Sequence, residues 1–325
     1  MAKTYDIQAL KEGVLRGDRH STARAITLIE SNHESHKEDG RALVDLLIPH
    51  AGNSLRLGIS GTPGVGKSTF IEAFGLRLIE EGDRVAVLAI DPSSPLTGGS
   101  ILGDKTRMTK LSASPQSFIR PSPSGGSLGG VARRTREIAL VLEAAGYNKI
   151  LIETVGVGQS ETVVSQMVDI FLMLQLPNAG DELQGIKKGI LELADIICVN
   201  KCDGDFEVAA KSTAVMLSKT LGIVRHDNMP EILSISALRQ VGIKETIDTV
   251  NATSTHLKES GKLAQKRRHQ ANAWFEEELT ERLKEKFISS EEARSVIAEK
   301  ASEVSSGKKA PPKAAAEAID TLILS

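Results

Sequence analysis

The chain has 325 residues, 40% of them hydrophobic and 25% charged, which are ordinary proportions for a soluble globular protein with one large domain and extensions. Forty basic and 42 acidic residues leave a net charge of −2, and aromatics make up only 3%. No broad electrostatic footprint for nucleic acid and no base-stacking surface is therefore expected. Two cysteines, Cys198 and Cys202, are too few for a disulfide framework. No apolar run reaches the roughly 18 residues of a membrane span, and the start, MAKTYDIQALKEGVLRGD, lacks a secretory core. A reduced, cytoplasmic setting without membrane attachment is the expectation.

From about residue 5 to residue 50 the pattern is amphipathic helix. Leu10, Val14, Ala23, Ile26, Leu28 and Ile29 recur at helical spacing, as do Ala42, Leu43, Leu46 and Leu47. Short runs of Val, Ile and Leu then alternate with helical stretches. The predicted strands are Leu55–Ser60, Val85–Asp91, Ile150–Thr154, Ile170–Gln175, Ile196–Asn200 and Ile232–Ser236. Such alternation implies an α/β fold, a mostly parallel sheet wrapped by helices, and near-continuous apolarity fits strands covered on both faces. Past Thr253 the strand signals stop. Residues 254–306 are charged and helical in pattern, Gly307 to Pro312 forms a break, and Ala314–Leu324 reads as a last helix. The predicted organisation is a helical extension over 1–53, a nucleotide-binding domain over 54–253 and a helical arm over 254–325.

The chemistry is concentrated in a few segments. Gly61-Thr62-Pro63-Gly64-Val65-Gly66-Lys67-Ser68-Thr69 satisfies the Walker A pattern between a strand and a helical run. Glycines let backbone N–H groups curl around phosphates at a helix N-terminus, where the dipole favours anions. Lys67 would reach the outer phosphates and Ser68 would place its hydroxyl on Mg²⁺. This is the loop of a P-loop NTPase.

Asn200-Lys201-Cys202-Asp203 ends the strand ADIICVN and has the NKxD form of a guanine reader. A carboxylate at Asp203 accepts two hydrogen bonds from guanine that adenine cannot offer, and sites built for such groups reject the analogue without them. Ser236-Ala237-Leu238, after EILSIS, fits the supporting loop beside the base.

Leu151-Ile152-Glu153-Thr154-Val155-Gly156 occupies the Walker B position, with Glu153 where Asp is more familiar. Gly156 would turn its N–H toward the γ-phosphate. Asp91 and Asp104 are further oxygen donors, although Mg²⁺ keeps few protein ligands and Ser68, Asp91, Asp104 and Glu153 cannot all bind directly. For Asp104 a helix cap is an equal rival. The position after Gly156 holds Val157 rather than a water-orienting Gln, with Gln159 two residues on, so slow intrinsic hydrolysis is expected unless Gln159 or a partner residue supplies that function.

Taken together, GTPGVGKST, DPSSPLTGGSILGDKTRM, SPSGGSLGGVARRTRE, ETVGVGQSE, AGDELQGIKKGILELAD and NKCD make the chain resemble the MeaB/ArgK family of methylmalonyl-CoA mutase-associated GTPases. The resemblance covers about residues 10–320. It implies a homodimer with a Ras-like core and helical extensions, binding GTP and GDP. It also implies a cobalamin-dependent mutase as partner, whose cofactor loading is gated and which is protected from inactivation. It carries the nucleotide role onto Gly61 to Thr69, Asp203 and Ser236 to Leu238, and the magnesium role onto Ser68, Asp91, Asp104 and Glu153. The loop Asn178–Lys188 matches a segment that communicates with the mutase. Some members bear the label of a lysine/arginine/ornithine transport kinase.

Other features have plainer readings. Lys262, Lys266, Arg267, Arg268 and His269 are expected on a solvated helix face. Arg133, Arg134 and Arg136 read as surface helix arginines ahead of an arginine finger. Trp274, Phe275, Leu279 and Leu283 read as a packed stripe, with a dimer contact as one use. A nickel-delivery GTPase would show a His-rich tract or Cys-His cluster, but the seven histidines are scattered. A phosphoryl-transferring kinase would need an acceptor site and a base that the sequence does not pair.

Overall fold

In a computed structural model, the structure describes residues 5–91, 108–123, 128–154, 159–177, 188–224 and 229–324. The N-terminal extension forms three helices, α1 (Ile7–Leu15), α2 (Arg19–Glu30) and α3 (Glu34–Leu47). Gly17, at φ 72°, ends the first, and Asp18 caps the second by accepting from Ser21 N at 2.8 Å. Ser21's hydroxyl and amide hold the Asp18 carboxyl below the usual carboxylate range. Leu28, Leu43 and Leu47 of this layer are buried in one core cluster with Leu142 and Tyr147.

Next come β1 (Leu55–Gly61), α4 (Lys67–Glu80), β2 (Val85–Asp91), α5 (Thr109–Ala113), β3 (Ser117–Pro123), α6 (Leu128–Ala144), β4 (Lys149–Thr154), α7 (Gln159–Ser165) and β5 (Ile170–Gln175). They are followed by α8 (Lys188–Leu191), β6 (Ile196–Val199), α9 (Glu207–Val224), β7 (Glu231–Ser234) and α10 (Ile243–Glu259). The seven strands form one sheet in the order β3-β2-β4-β1-β5-β6-β7, every pair parallel. This is a P-loop NTPase fold. Because side chains alternate along each strand, the sheet feeds two cores. Gly58, Phe171, Met173 and Ile197 lie on the face covered by α1–α3, α6 and α9, and Leu57, Ile59, Leu172 and Cys198 on the face covered by α4 and α10. Burial on both faces is why these strands read as unbroken apolar runs.

The predicted strands are present within two residues at each end. β3 is not among them: its sequence SFIRPSP carries an arginine and two prolines. It forms because it is the edge strand, paired only with β2, where missing N–H groups are tolerated.

The chain divides into two compact units, residues 1–267 and 268–325. The second contains most of α11 (Lys262–Ser289), α12 (Glu291–Ser305) and α13 (Pro311–Leu324). α12 ends at Gly307, φ 71°, with Lys308 N donating to Glu303 O at 3.0 Å, a left-handed cap that matches the expected break. Lys309 sits between Glu303 and Glu317, whose carboxylates push its ammonium pKa up. Phe275, Leu279 and Leu283 are exposed on α11, the first at 66%, rather than packed within the chain.

The basic run is not a uniformly solvated face. Lys262, Arg268 and His269 are exposed, but Arg267 donates to both carboxylate oxygens of Asp169, at 2.8 and 2.7 Å, and to Ser54 O at 2.7 Å. Asp169 also accepts from Arg56 N at 2.9 Å, and Arg56 Nε donates to Glu143 at 2.7 Å. The Asp169 hydrogen bonds push the Arg267 pKa upward. Two arginines thus neutralise two buried carboxylates at the start of β1. Helical spacing could not show this, because the partners lie about a hundred residues or more away.

Removing one member of such a pair leaves a buried charge unmatched, which typically costs about 3–5 kcal/mol. Arg267→Ala is expected to lose stability on that order in urea titration. Arg267→Lys should recover only part of it, since an ammonium cannot reproduce the bidentate fork.

Candidate functional site

An all-parallel sheet puts the C-terminal ends of its strands on one edge, and ligands of such sheets bind there. Every sequence-predicted site residue within the described residues lies on that edge. Gly61 to Thr69 follow β1, Asp91 ends β2, Glu153 stands one residue from the end of β4, Asn200 to Asp203 follow β6 and Ser236 to Leu238 follow β7. Asp104, Gly156 and the loop positions Asn178 to Lys187 lie outside the described residues.

The phosphate loop turns from the central strand into α4. Gly61 ends β1 where a Cβ would sit 2.6 Å from Leu174 O. Gly66, at φ 96°, is the residue before the helix, and a Cβ there would stand 2.8 Å from Asn200 Nδ2. Only glycine allows both that backbone and that approach. Among the described residues no side chain caps α4, so the N–H groups of its first turn are open to a ligand. Lys67 folds back along the loop, its Nζ donating to Gly61 O at 2.7 Å and Thr62 O at 3.3 Å. Val65 is buried, whereas Pro63, Gly64 and Thr69 are exposed.

Asn200 ties this loop to the base-reading segments. The side chain is 2% exposed; its Nδ2 donates to Val65 O at 2.8 Å and its Oδ1 accepts from Ala237 N at 3.0 Å. Its backbone N donates to Gln175 O at 2.8 Å. Lys201 then adopts φ 63°, uncommon for a residue with a side chain. The turn lets Cys202 N donate to Ile235 O at 2.8 Å and brings Asp203 against Ser236, whose hydroxyl donates to its carboxylate. Ser236 and Val241 exchange two backbone bonds of 3.0 Å, closing a tight loop that buries Ser236 and Ala237 and leaves Leu238 74% exposed. The glycine-rich loop Gly61 to Thr69 and the Asp203 carboxylate are thereby held in one hydrogen-bonded assembly.

Sequence comparison agrees with this geometry. Residues 22–292 match the family model described as methylmalonyl Co-A mutase-associated GTPase MeaB. This chain belongs to the MeaB family. It is 48% identical to GTPase ArgK of Escherichia coli K12, over 85% of each chain. It is 46% identical to a probable GTPase of Mycobacterium tuberculosis H37Rv, over 98% of this chain and 97% of the relative. The mitochondrial methylmalonic aciduria type A homolog of Mus musculus is 43% identical, over 95% of this chain and 78% of its own. The crystal structure of a protein named LAO/AO transport system kinase superposes with a TM-score of 0.76 at 36% identity, covering 99% of both chains.

In this MeaB-family chain, Glu153 is 3% exposed and shares its sheet face with Leu151 and α4, the face on which the phosphate loop enters its helix. Ser68 lies in the first turn of that helix. A hydroxyl and a carboxylate beside phosphate oxygens suit magnesium, which takes oxygen ligands and few of them from protein. Among the arginines of α6, Arg134 donates to Asn32 and Arg136 is buried. The feature that motif reading missed is the pair of hydrogen bonds made by the Asn200 side chain; its place at a strand end, opening the NKxD run, is the sequence signal for it.

The two thiols differ in environment. Cys198 is fully buried in β6, and burial raises its pKa to about 12. Cys202 is half-buried beside Asp203, its pKa raised less, again by burial. Maleimide at neutral pH is therefore expected to label Cys202 alone in the native protein and both thiols in denaturant, as intact mass would read. Bound GDP should slow labelling of Cys202.

Proposed function

We propose that this chain is a GTPase chaperone that gates adenosylcobalamin loading and protects a cobalamin-dependent acyl-CoA mutase, methylmalonyl-CoA mutase first among the candidates. The observation that carries the reading is the Asn200 bridge between phosphate loop and guanine reader, in a chain whose family is described as methylmalonyl Co-A mutase-associated. GTP hydrolysis is supported by relatives named as GTPases and by the P-loop fold.

In this reading Gly61 to Thr69 wrap the phosphates and Lys67 neutralises the outer ones. Asp203 reads guanine, with Asn200, Lys201, Ser236, Ala237 and Leu238 completing the base site. Mg²⁺, when bound, supplies positive charge to the β- and γ-phosphate oxygens. Ser68, Asp91, Asp104 and Glu153 are its candidate ligands, directly or through water. Gly156 offers its N–H to the γ-phosphate. The chain works as a cytoplasmic homodimer, with the exposed Phe275, Leu279 and Leu283 of the arm as the apolar face offered to a second copy. Among the described residues no helix is long and apolar enough to cross a membrane.

The transport-kinase alternative takes its motive from the similar crystal structure, whose protein is named a LAO/AO transport system kinase. Transfer of the γ-phosphoryl of labelled GTP to a small molecule or transport protein, instead of release as phosphate, would establish it. The nickel-carrier alternative has less behind it. Among the described residues no group of three or more His, Cys, Asp or Glu is placed to hold a metal ion.

Two hydrogen bonds to a charged group, at about 1.5–3 kcal/mol each, make Asp203 the main source of base specificity. Asp203→Asn is expected to lose GTP affinity and gain affinity for xanthosine triphosphate. Equal binding of ATP and GTP by the wild type would defeat the guanine assignment.

Hydrolysis by the chain alone is expected to be slow, because Val157 cannot align water. A mutase that orders existing loops, or that supplies an arginine, should accelerate it; the latter gives about 10³–10⁵-fold in known systems. Coupling of binding equilibria is reciprocal, so nucleotide must also alter mutase affinity. Steady-state phosphate release with and without purified methylmalonyl-CoA mutase tests the first point. Mutase binding in GDP and in a non-hydrolysable GTP analogue tests the second.

A further inference from the structure

Two polar atoms at the phosphate-loop end of the sheet have no role in the nucleotide site as described. Gln175, 1% exposed, closes β5 and gives its backbone carbonyl to Asn200. Among the described residues its side-chain Nε2 is buried without a hydrogen-bond partner. Thr62, the second residue of the phosphate loop, has its Oγ1 in the same condition. β1 and β5 are paired in parallel as far as Gly61 beside Leu174, and Thr62 and Gln175 are the residues that follow this last pair.

Direction along β5 is fixed by alternation. Leu172 and Leu174 belong to the core under α4, Phe171 and Met173 to the opposite one, and Gln175 follows the second set. The same face carries Ser60 and Thr154, whose hydroxyls are 2.9 Å apart. Gln175 therefore closes a short polar row at the end of an otherwise apolar face. One orphan is an amide donor and the other a hydroxyl that can accept. Leaving such groups unmet in a buried site is costly, and a bond between them removes both penalties at once.

The state in which they meet is suggested by Lys67. Its ammonium is bound to the carbonyls of Gly61 and Thr62, the peptide units that set where Thr62 points. Phosphates compete for that charge when nucleotide enters.

We propose that Gln175 is a positioning residue for the phosphate loop, its Nε2–H donating to Thr62 Oγ1 when guanine nucleotide occupies the loop and draws Lys67 toward the phosphates. The bond fastens the loop to β5 only in the occupied state, so part of the nucleotide's binding energy comes from a contact that it does not itself touch. This rests on the proposed nucleotide site and adds to it a residue outside every motif.

The experiment uses the full chain, fluorescent GDP with Mg²⁺ as probe, and thermal melting without nucleotide. Gln175→Met and Thr62→Val are each expected to weaken GDP binding about three- to tenfold, and the double variant no further than either alone. Thr62→Ser, which keeps the hydroxyl, should recover most of the affinity that Thr62→Val loses. Gln175→Met should melt no lower than the wild type without nucleotide, since it removes an unmet buried donor. Additive losses, unchanged affinity in folded variants, or an affinity loss that merely tracks a lower melting temperature would each overturn the proposal. Should Gln175→Met fail to fold, the paired Thr62→Val and Thr62→Ser measurements decide it alone. A wild type that binds no guanine nucleotide would instead sink the nucleotide site itself, so the two failures are distinguishable.

Discussion

The candidate site depends on one carboxamide. Asn200 donates to the phosphate loop at Val65 O, accepts from the base loop at Ala237 N, and its backbone is held by the end of β5. Phosphates and base lie at opposite ends of a nucleotide, so a protein that reads both must fix the distance between two loops. Loops are the least rigid parts of a fold. A buried side chain with both polar ends satisfied fixes it at little cost, whereas a half-satisfied one would be a liability. The absence of a Cβ at Gly66 belongs to the same constraint, since the space it would fill is where Asn200 Nδ2 stands.

The fold was legible wherever the chain is buried on both sides. Five of the strands announce themselves as runs of Val, Ile and Leu because each face of the central sheet must be apolar, and the second edge strand, β7, shows itself through Ile232 and Leu233, which are only partly buried. β3 was illegible for the opposite reason: at an edge, with one neighbour, its Arg120 and prolines meet no penalty that would mark them. The break at Gly307 was readable because a left-handed cap demands glycine there. That the N-terminal extension is three helices rather than one turned on single residues, Gly17 and Asp18, which a periodicity count averages away.

Of the candidate site, the motif residues could be picked out because the Walker A and NKxD patterns are residue types at fixed spacing, and the fold gathers them on one edge of the sheet. What joins them could not. Arg267 illustrates the limit: in sequence it is one of five basic residues on a helix, and only the fold brings Asp169 and the carbonyl of Ser54 to its guanidinium. Gln175 is subject to the same limit, because its interest lies in what stands beside it on another strand. Pairings between distant segments carry no local signature.

The strand order bears on how the chain can be made. β1 sits at the middle of the sheet, yet Leu55 pairs with Lys149, 94 residues later (149 − 55), and Leu57 with Ile170, 113 residues later (170 − 57). During synthesis the phosphate loop therefore leaves the ribosome on a strand with neither neighbour yet made. Contacts of such separation must close long loops before they stabilise anything, which slows folding and leaves apolar edges open to wrong partners. The nascent β1, which waits longest for both of its neighbours, is the segment most in need of protection.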